Sequence, residues 1–281
     1  MAATLGSNSY GKSAIRLFKV IREGGHHRVR DLTVDIALEG DFDEAHVQGD
    51  NSAVLPTDTM KNTVYAKAAE GVDEIEEFGC TLAEHFLRHS SAAKRVRVTV
   101  AEHAWIRLDV DRQPHPHAFE HGSAERRTAQ VALSRGDAAA EIRAGVADLV
   151  ILKSAQSAFE GYPRDRYTTL PETSDRVLAT SLTAQWRYAP ETTSFDPSWR
   201  AVRGAMLDAF AAHDSRSVQH TLYAMGEAAL EACAEVVEIS LTMPNKHHLP
   251  VDLVQFGMEN RNEIFVPTPE PYGLIEATVR R

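Results

Sequence analysis

The sequence predicts an α+β protein built from two tandem units, residues 1–139 and 140–281, each an antiparallel sheet with helices on one face. The first observation behind this prediction is the order of elements, because strand–strand–helix–helix–strand–strand occurs in each half. The second is a short echo, NTVYAKA at 62–68 and HTLYAMG at 220–226, which opens a helix at the same place in both halves. Open sheet edges favour association, so we expect the sheets to close into a barrel in an oligomer.

Alternating apolar residues predict the strands of the first half, and Gly24-Gly25 between the first two is typical of a hairpin turn. The second strand changes phase, which predicts a bulge within it. A loop is expected at 111–117. The predicted strands are 13–23, 26–42, 94–110 and 118–134.

Two helices are predicted between these pairs of strands. The first runs from Met60 to about Ala69 and would be capped by Thr57, Asp58 or Thr59. The second covers 71–90, where four apolar residues recur at a spacing of three to four, as on the buried face of a helix. These residues are Ile75, Phe78, Leu82 and Phe86.

The second half repeats this order. Its expected helices cover 196–213 and 217–234. Its expected strands are 141–157, 175–189, 235–245 and 248–256.

Composition narrows the class of protein. The 281 residues are 43% hydrophobic and 25% charged, which is ordinary for a globular protein. A net charge of -10 argues against a general binder of nucleic acid or anionic membranes but allows a local basic pocket for one small anion. The start lacks an apolar signal-peptide core, the chain does not end in a peroxisomal tripeptide, and Cys80 and Cys233 form no disulfide framework. We therefore expect a reducing cytoplasm.

Cofactor motifs are scarce. No glycine-rich phosphate loop follows a strand, so the sequence shows no motif that would bind the phosphates of a nucleotide cofactor. His115 and His117 could ligate a metal, but Pro116 between them and the lack of a nearby carboxylate or thiolate favour a structural loop.

Several other residues stand out, and each has an ordinary structural explanation beside a chemical one. Lys12 could be a surface lysine, and Thr57 and Asp58 could be helix caps. Phe159 could be a core ring, Arg176 half of a salt bridge, and Gln219 an exposed residue at a helix start. The polar group Asn245-Lys246-His247-His248 lies between strand-like flanks and could be a solvated turn, a metal nest or one wall of an active site. The residues alone leave these alternatives open.

Six segments together resemble the urate oxidase (uricase) family: YGKSAIRLFKV, GDNSAVLPTDTMKNTVYA, SAFEGYPRDRYTTLPETSDR, SVQHTLYAMGEAAL, MPNKHH and PYGLIEATVRR. They occur in the order of the family and extend from near Asn8 to Arg281. The resemblance implies a tunnelling fold (T-fold) with two units per chain and a homotetramer of stacked barrels. It also implies active sites shared between subunits and no metal or organic cofactor, with O2 as co-substrate.

The resemblance assigns substrate-binding roles in the second half. Arg176 would hold the urate anion with its guanidinium, whose fork suits adjacent acceptor atoms. The Gln219 amide and the Val218 backbone N–H would pair with the rim of the purine. Phe159 would stack on the purine face, and Asn245 would hold oxygen and later water above it.

The remaining implied roles concern protons. Lys12, Thr57 and His247 would form a proton relay, and Thr57 and Asp58 would reach in from a neighbouring chain, at a helix start that favours an anion. Strand alternation would turn Lys246 and His248 the other way.

The implied reaction oxidises urate with O2 and water to 5-hydroxyisourate and hydrogen peroxide. The alternatives are an inactive urate-binding or purine-binding T-fold assembly and a T-fold enzyme that acts on a pterin. For the latter, the zinc-dependent kind needs a Cys/His ligand set that the sequence does not supply. Pro56 and Pro250 depart from expectation: the first stiffens the loop before Thr57, and the second suggests an edge or a bulge after His248.

Overall fold

A computed structural model describes residues 3–22 and 24–281, so Glu23, the last residue of the first predicted strand, lies outside the described residues. Within these ranges the strands are β1 Ser9–Ile21, β2 Arg28–Gly40, β3 Ala93–Val110, β4 Gln113–Ser134, β5 Glu141–Lys153, β6 Leu178–Tyr188, β7 Val236–Pro250 and β8 Phe265–Arg280. The helices are α1 Asp43–Val47, α2 Thr57–Glu70, α3 Ile75–His89, α4 Phe195–Ala212 and α5 Val218–Ala232. The α+β class with antiparallel strands is confirmed.

The chain divides into two compact units. The first contains Met1–Gly145 with Arg187–Asp196, and the second contains Val146–Trp186 with Pro197–Arg281. The strands follow one another in the sheet in chain order, with β1-β2-β3-β4 in the first unit and most of β5 and β6, together with β7 and β8, in the second. The predicted repeat boundary between residues 139 and 140 stays a prediction.

The core of the first unit lies between its sheet and the helices α2 and α3. On β2 the buried residues alternate with more exposed ones from Leu32 to Leu38, so one face of the strand points inward. The predicted apolar face of α3 is confirmed, because Ile75, Phe78 and Leu82 are buried there. Burying a side chain of this size contributes about 1.5–3 kcal/mol.

The predicted bulge exists, but it lies in β1 and not in β2. Lys12 pairs with Ile36 and Ile15 pairs with Val34, so β1 carries one residue more than its partner. Ala14 has a positive φ of 56°, and its N–H donates to the Asp35 carboxylate at 2.7 Å. That side chain replaces the ladder hydrogen bond lost at the bulge, which the apolar pattern could not reveal.

The predicted loop at 111–117 is wrong. Strand pairing continues to Val110 and Gln113, and the chain turns at Asp111 and Arg112, whose φ values are 53° and 64°. A two-residue hairpin of this kind needs positive φ at both positions, and aspartate tolerates it. The histidines of HPHAF therefore lie in β4.

The predicted cap of the first helix is also wrong. α2 begins at Thr57, its N-cap is Pro56, and no side chain caps it. Proline has φ near −65° before the first helical turn, so the chain can enter the helix there without a side-chain acceptor. Thr57 is thus the first helical residue.

In the second unit the order of elements is confirmed up to β7, but the C-terminal prediction is wrong. β7 continues through the polar group at 245–248 to Pro250, and the segment expected as a strand at 248–256 contains instead a 3-10 turn at Val254–Phe256. The last strand, β8, was missed because the prolines at 267, 269 and 271 argue against a strand. β8 is at the end of the sheet order, where proline is tolerated.

None of the helices in the described part of the chain is long and apolar enough to cross a membrane.

Candidate active site

The segment that carries Phe159 joins two other segments of the second unit. Ser157 pairs in parallel with Ser215, and Phe159 pairs in antiparallel fashion with Thr173. The Ala158 N–H donates to the Ser215 carbonyl at 2.7 Å, and the Phe159 N–H donates to the Thr173 carbonyl at 2.8 Å. These two short β-bridges therefore join the segment at 157–159 to Thr173 and to Ser215, which lie further along the chain.

Arg176 follows the bridge at Thr173 and lies beside the aromatic ring. Its Cζ atom is 5.1 Å from the centroid of Phe159, within the range of a cation–π contact. Its Nε is buried and has no hydrogen-bond partner among the described residues. Burial lowers the pKa of this guanidinium.

The salt-bridge explanation of Arg176 is therefore wrong within the part of the chain that the structure describes. A desolvated cation without a partner is costly, and an anion would satisfy it. Phe159 itself is half-buried, so the core explanation does not account for it.

The start of α5 is the third part of this arrangement. Ser217 is the N-cap and accepts the N–H of His220 at 3.1 Å. Val218 is the first helical residue and is buried, whereas Gln219 follows it and is exposed. The first N–H groups of a helix have no intrahelical acceptor and attract anions, and the bridge at Ser215 leads directly to them.

Asn245 and His247 are half-buried on β7, and the Asn245 Nδ2 lies 3.5 Å from the His247 Nδ1. The pairing with β8 shifts between them, from Gly273 to Thr268. Strand alternation alone is thus an incomplete reason for their proximity, because a bulge interrupts the ladder there. His248 is close to the backbone instead, with its Nδ1 3.1 Å from the Lys246 carbonyl.

Lys12, Thr57 and Asp58 belong to the first unit. Lys12 is half-buried on β1 immediately before the bulge, and its charge contributes to the lowered pKa of Asp58. The larger cause of that lowered pKa is Lys61, which pairs with Asp58, while Asn62 donates to the same carboxylate at 3.0 Å. Helix α2 packs against β1, the strand that carries Lys12.

Tyr162 was missed by sequence reasoning. Its ring stacks on Phe159 with centroids 4.8 Å apart and an angle of 17° between planes. Its hydroxyl donates to the Leu170 carbonyl at 2.6 Å. The available signal was Gly161, whose φ of 72° turns the chain back so that residues three apart can face each other.

Several histidines outside this arrangement are in ring contact with one another. His115 and His117 have ring centroids 4.6 Å apart, and His27 lies 5.9 Å from His117. Among the described residues, no group of three or more His, Cys, Asp or Glu side chains is placed to hold a metal ion.

Within the described residues, a guanidinium whose Nε has no hydrogen-bond partner lies beside a phenyl ring in an antiparallel α+β protein, an arrangement that suits a flat anion. The family model described as Uricase matches residues 8–132 and 142–276. The chain belongs to the uricase family.

Known uricases are similar in sequence to nearly the whole length of this chain. A uricase of Arthrobacter globiformis is 46% identical over 277 residues, covering 99% of this chain and 90% of that protein. A uricase of Danio rerio is 37% identical over 280 residues, with 97% and 93% covered. The crystal structure of the Arthrobacter globiformis uricase superposes with a TM-score of 0.95 at 44% identity and covers 100% of this chain and 96% of that one.

Proposed function

We propose that this chain is a urate oxidase, which converts urate, O2 and water to 5-hydroxyisourate and hydrogen peroxide. Membership of the uricase family supports this function. The observation that carries it is Arg176, a half-buried guanidinium with no partner among the described residues, beside the Phe159 ring. Urate is a planar anion, so it satisfies both groups at once.

Recognition of urate uses groups that the bridges at Ser157 and Thr173 hold together. The Arg176 fork binds one edge of the anion, and Phe159 stacks on its face. The Val218 N–H and the Gln219 amide bind another edge, since an amide offers both a donor and an acceptor. The positive end of α5 adds to the attraction for the anion.

The chemical step needs a proton acceptor and an oxygen site. We assign proton transfer to Lys12, Thr57 and His247, and we assign the holding of O2 and then water to Asn245. Removing a proton from urate makes it a stronger reductant, so urate itself can supply two electrons to O2. Hydroxylation at the ring carbon by water then gives 5-hydroxyisourate, and the two electrons leave in hydrogen peroxide. This scheme requires no metal or organic cofactor.

Thr57 and Asp58 are proposed to come from a neighbouring chain, which makes the homotetramer part of the active site. We further propose two T-fold units, 1–139 and 140–281, whose sheets close into a barrel in that tetramer, and a cytoplasmic location. Oligomeric state is checked by light scattering, and sharing of the site by forming mixed tetramers from two impaired variants, T57A and R176Q, and comparing their activity with that of each variant alone. Recovery of activity in the mixed tetramer supports shared sites, and its absence contradicts them.

The reaction is tested by the loss of urate absorbance, O2 uptake and peroxide release, each in the presence of a chelator. We expect urate-dependent turnover with one peroxide formed for each urate consumed. Complete loss of activity on chelation contradicts the scheme without cofactor. Urate binding without peroxide release supports instead the inactive assembly, which the family relationship does not favour.

Arg176 provides a sharper test. R176Q removes the charge, and we expect KM for urate to rise about 100-fold, because removing one partner of a buried charged pair costs about 2–5 kcal/mol. Arg166 is an exposed arginine of the same unit, so R166Q is the matched control and is expected to leave KM unchanged. Equal KM values for R176Q and wild type contradict the proposed site.

A further inference from the structure

His213 and His220 form a contact at the start of α5 to which the proposed reaction gives no role. Their ring centroids are 4.2 Å apart, and the His213 Nε2 lies 3.1 Å from the His220 Nδ1. His213 directly follows α4, and His220 lies in the first turn of α5. The contact therefore closes the connection between these two helices.

A backbone hydrogen bond indicates the role of the His220 nitrogen in this contact. The Arg216 backbone N–H donates to the His220 Nδ1 at 3.4 Å, so this nitrogen must be an acceptor. With Nδ1 of His220 as acceptor, the contact with His213 is a hydrogen bond in the tautomer of His213 that carries its hydrogen on Nε2. Burial, His220 and Lys153 lower the pKa of His213, which favours the neutral ring.

The connection between the two histidines is also held at other points. The Lys153 amine donates to the His213 carbonyl at 2.5 Å. Ser215 is fully buried and pairs with Ser157, next to Phe159. At its far end, Ser217 caps α5 through the His220 N–H. The segment 213–220 is thus held at both ends and at its middle, and Val218 and Gln219 lie between Ser217 and His220, which the capping hydrogen bond joins.

We propose that the His213–His220 pair is a positioning device that holds Val218 and Gln219 in the direction needed to bind the edge of the substrate. This inference deepens the proposed function and rests on it. The His220 Nδ1 faces two groups of the preceding connection, the Arg216 N–H and the His213 ring, so its loss frees the first turn of α5 next to the bridge at Ser215. Small misplacements of a binding group are costly, since the hydrogen bonds of the bound state depend on direction.

Substitutions at His220 separate the acceptor from the bulk of the ring. Asparagine places a polar atom near the position of Nδ1, glutamine places it near Nε2, and alanine removes both. We expect H220A and H220Q to raise KM for urate about five- to tenfold with kcat changed less than about twofold, and H220N to stay near wild type. His85 and His89 stack on α3 of the first unit, so H89A controls for the loss of a paired histidine and is expected to leave KM unchanged.

Amide hydrogen exchange of residues 216–220 supplies a readout that does not depend on turnover. We expect faster exchange at Val218 and Gln219 in H220A and H220Q than in wild type and H220N, and anaerobic urate binding weakened by the same factor as KM. Unchanged exchange and KM in H220A, or equal effects of H220N and H220A, overturn the positioning role.

Failure of the proposed function is recognised separately, because wild-type protein would then neither bind nor oxidise urate. In that event the exchange comparison among the His220 variants still decides whether the pair orders the start of α5. If H220A does not fold, the comparison of H220N with H220Q decides the same point.

Discussion

Tyr162 stacks on Phe159 with centroids 4.8 Å apart, and its hydroxyl anchors it to the Leu170 carbonyl. The ring proposed to contact the purine is therefore itself supported by an aromatic neighbour. Offset stacking of this kind contributes about 0.5–1.5 kcal/mol beyond the burial of area.

We predict that Y162A raises KM for urate about three- to tenfold, because Phe159 loses the ring that fixes its plane. Y162F keeps the ring and loses only the hydroxyl contact, so its KM is expected within about twofold of wild type. Steady-state kinetics of both variants check this. Tyr167 is exposed and serves as the control through Y167A. An effect of Y162F as large as that of Y162A would contradict support by stacking.

Lys12 and Thr57 are predicted to act on turnover more than on binding. K12M is expected to lower kcat about 100-fold, at the lower end of the usual contribution of a positioned proton acceptor, and T57A about tenfold, below that range, with smaller changes in anaerobic urate affinity. The measurement is kcat beside anaerobic binding of urate. Lys94 is an exposed lysine paired with Asp41, and K94M is expected to have no effect on either quantity. A loss of affinity that accounts for the whole loss of activity would exclude a role for Lys12 in proton transfer.

The burial of Glu76 leads us to expect that the stability of the protein depends on pH. Its side chain is fully buried, and burial raises its pKa from 4.5 to about 7, although Arg127 at 2.7 Å opposes this. Since the folded-state pKa is above the unfolded one, its contribution to stability is present below the unfolded pKa and lost as pH rises through about 7. Above this pH the buried Glu76 carboxyl group ionises and lowers the free energy of unfolding, whereas a neutral side chain at this position would not.

The variant E76Q tests this sign. We expect its Tm, relative to wild type, to increase as the pH rises from about 5 to about 8. Thermal unfolding followed by circular dichroism gives both values, and E70Q, an exposed change on α2, is the control. A difference in Tm that stays constant or falls with pH would contradict the assignment.

Gly79 marks a close approach of α3 to the sheet. A Cβ atom there would lie 2.7 Å from the Cγ2 of Val131 on β4. G79A is expected to lower the free energy of unfolding by about 1–3 kcal/mol despite the better helix propensity of alanine. Gly204 on α4 has open space around it, so G204A is expected to be neutral or stabilising by up to about 1 kcal/mol.

The double variant G79A/V131A isolates this contact. Shortening Val131 makes room for the new methyl group. The loss in free energy of unfolding of the double variant should therefore be about 1 kcal/mol smaller than the sum of the losses of the two single variants. Chemical denaturation of the four proteins provides the cycle. Additive free energies would mean that the two positions do not clash.

Regular periodicity made much of the fold predictable, as on α3, where Ile75, Phe78 and Leu82 are buried as expected. The errors occurred where a local exception overrides the pattern. The extra residue of β1 is stabilised by the distant Asp35 carboxylate, and proline-rich β8 is a strand because its place at the end of the sheet order tolerates proline. These contacts join residues that are far apart in the chain, so the pattern of neighbouring residues in the sequence does not reveal them.

By itself, the sequence determined the α+β class, the order of most elements and the family resemblance, because side-chain periodicity and contiguous motifs are local properties. Only the tertiary structure decided that Arg176 lacks an ion-pair partner within the described residues, that Tyr162 supports Phe159 and that His213 meets His220. These facts depend on distances between segments that are remote in the chain, and on the burial that makes an unpaired charge costly.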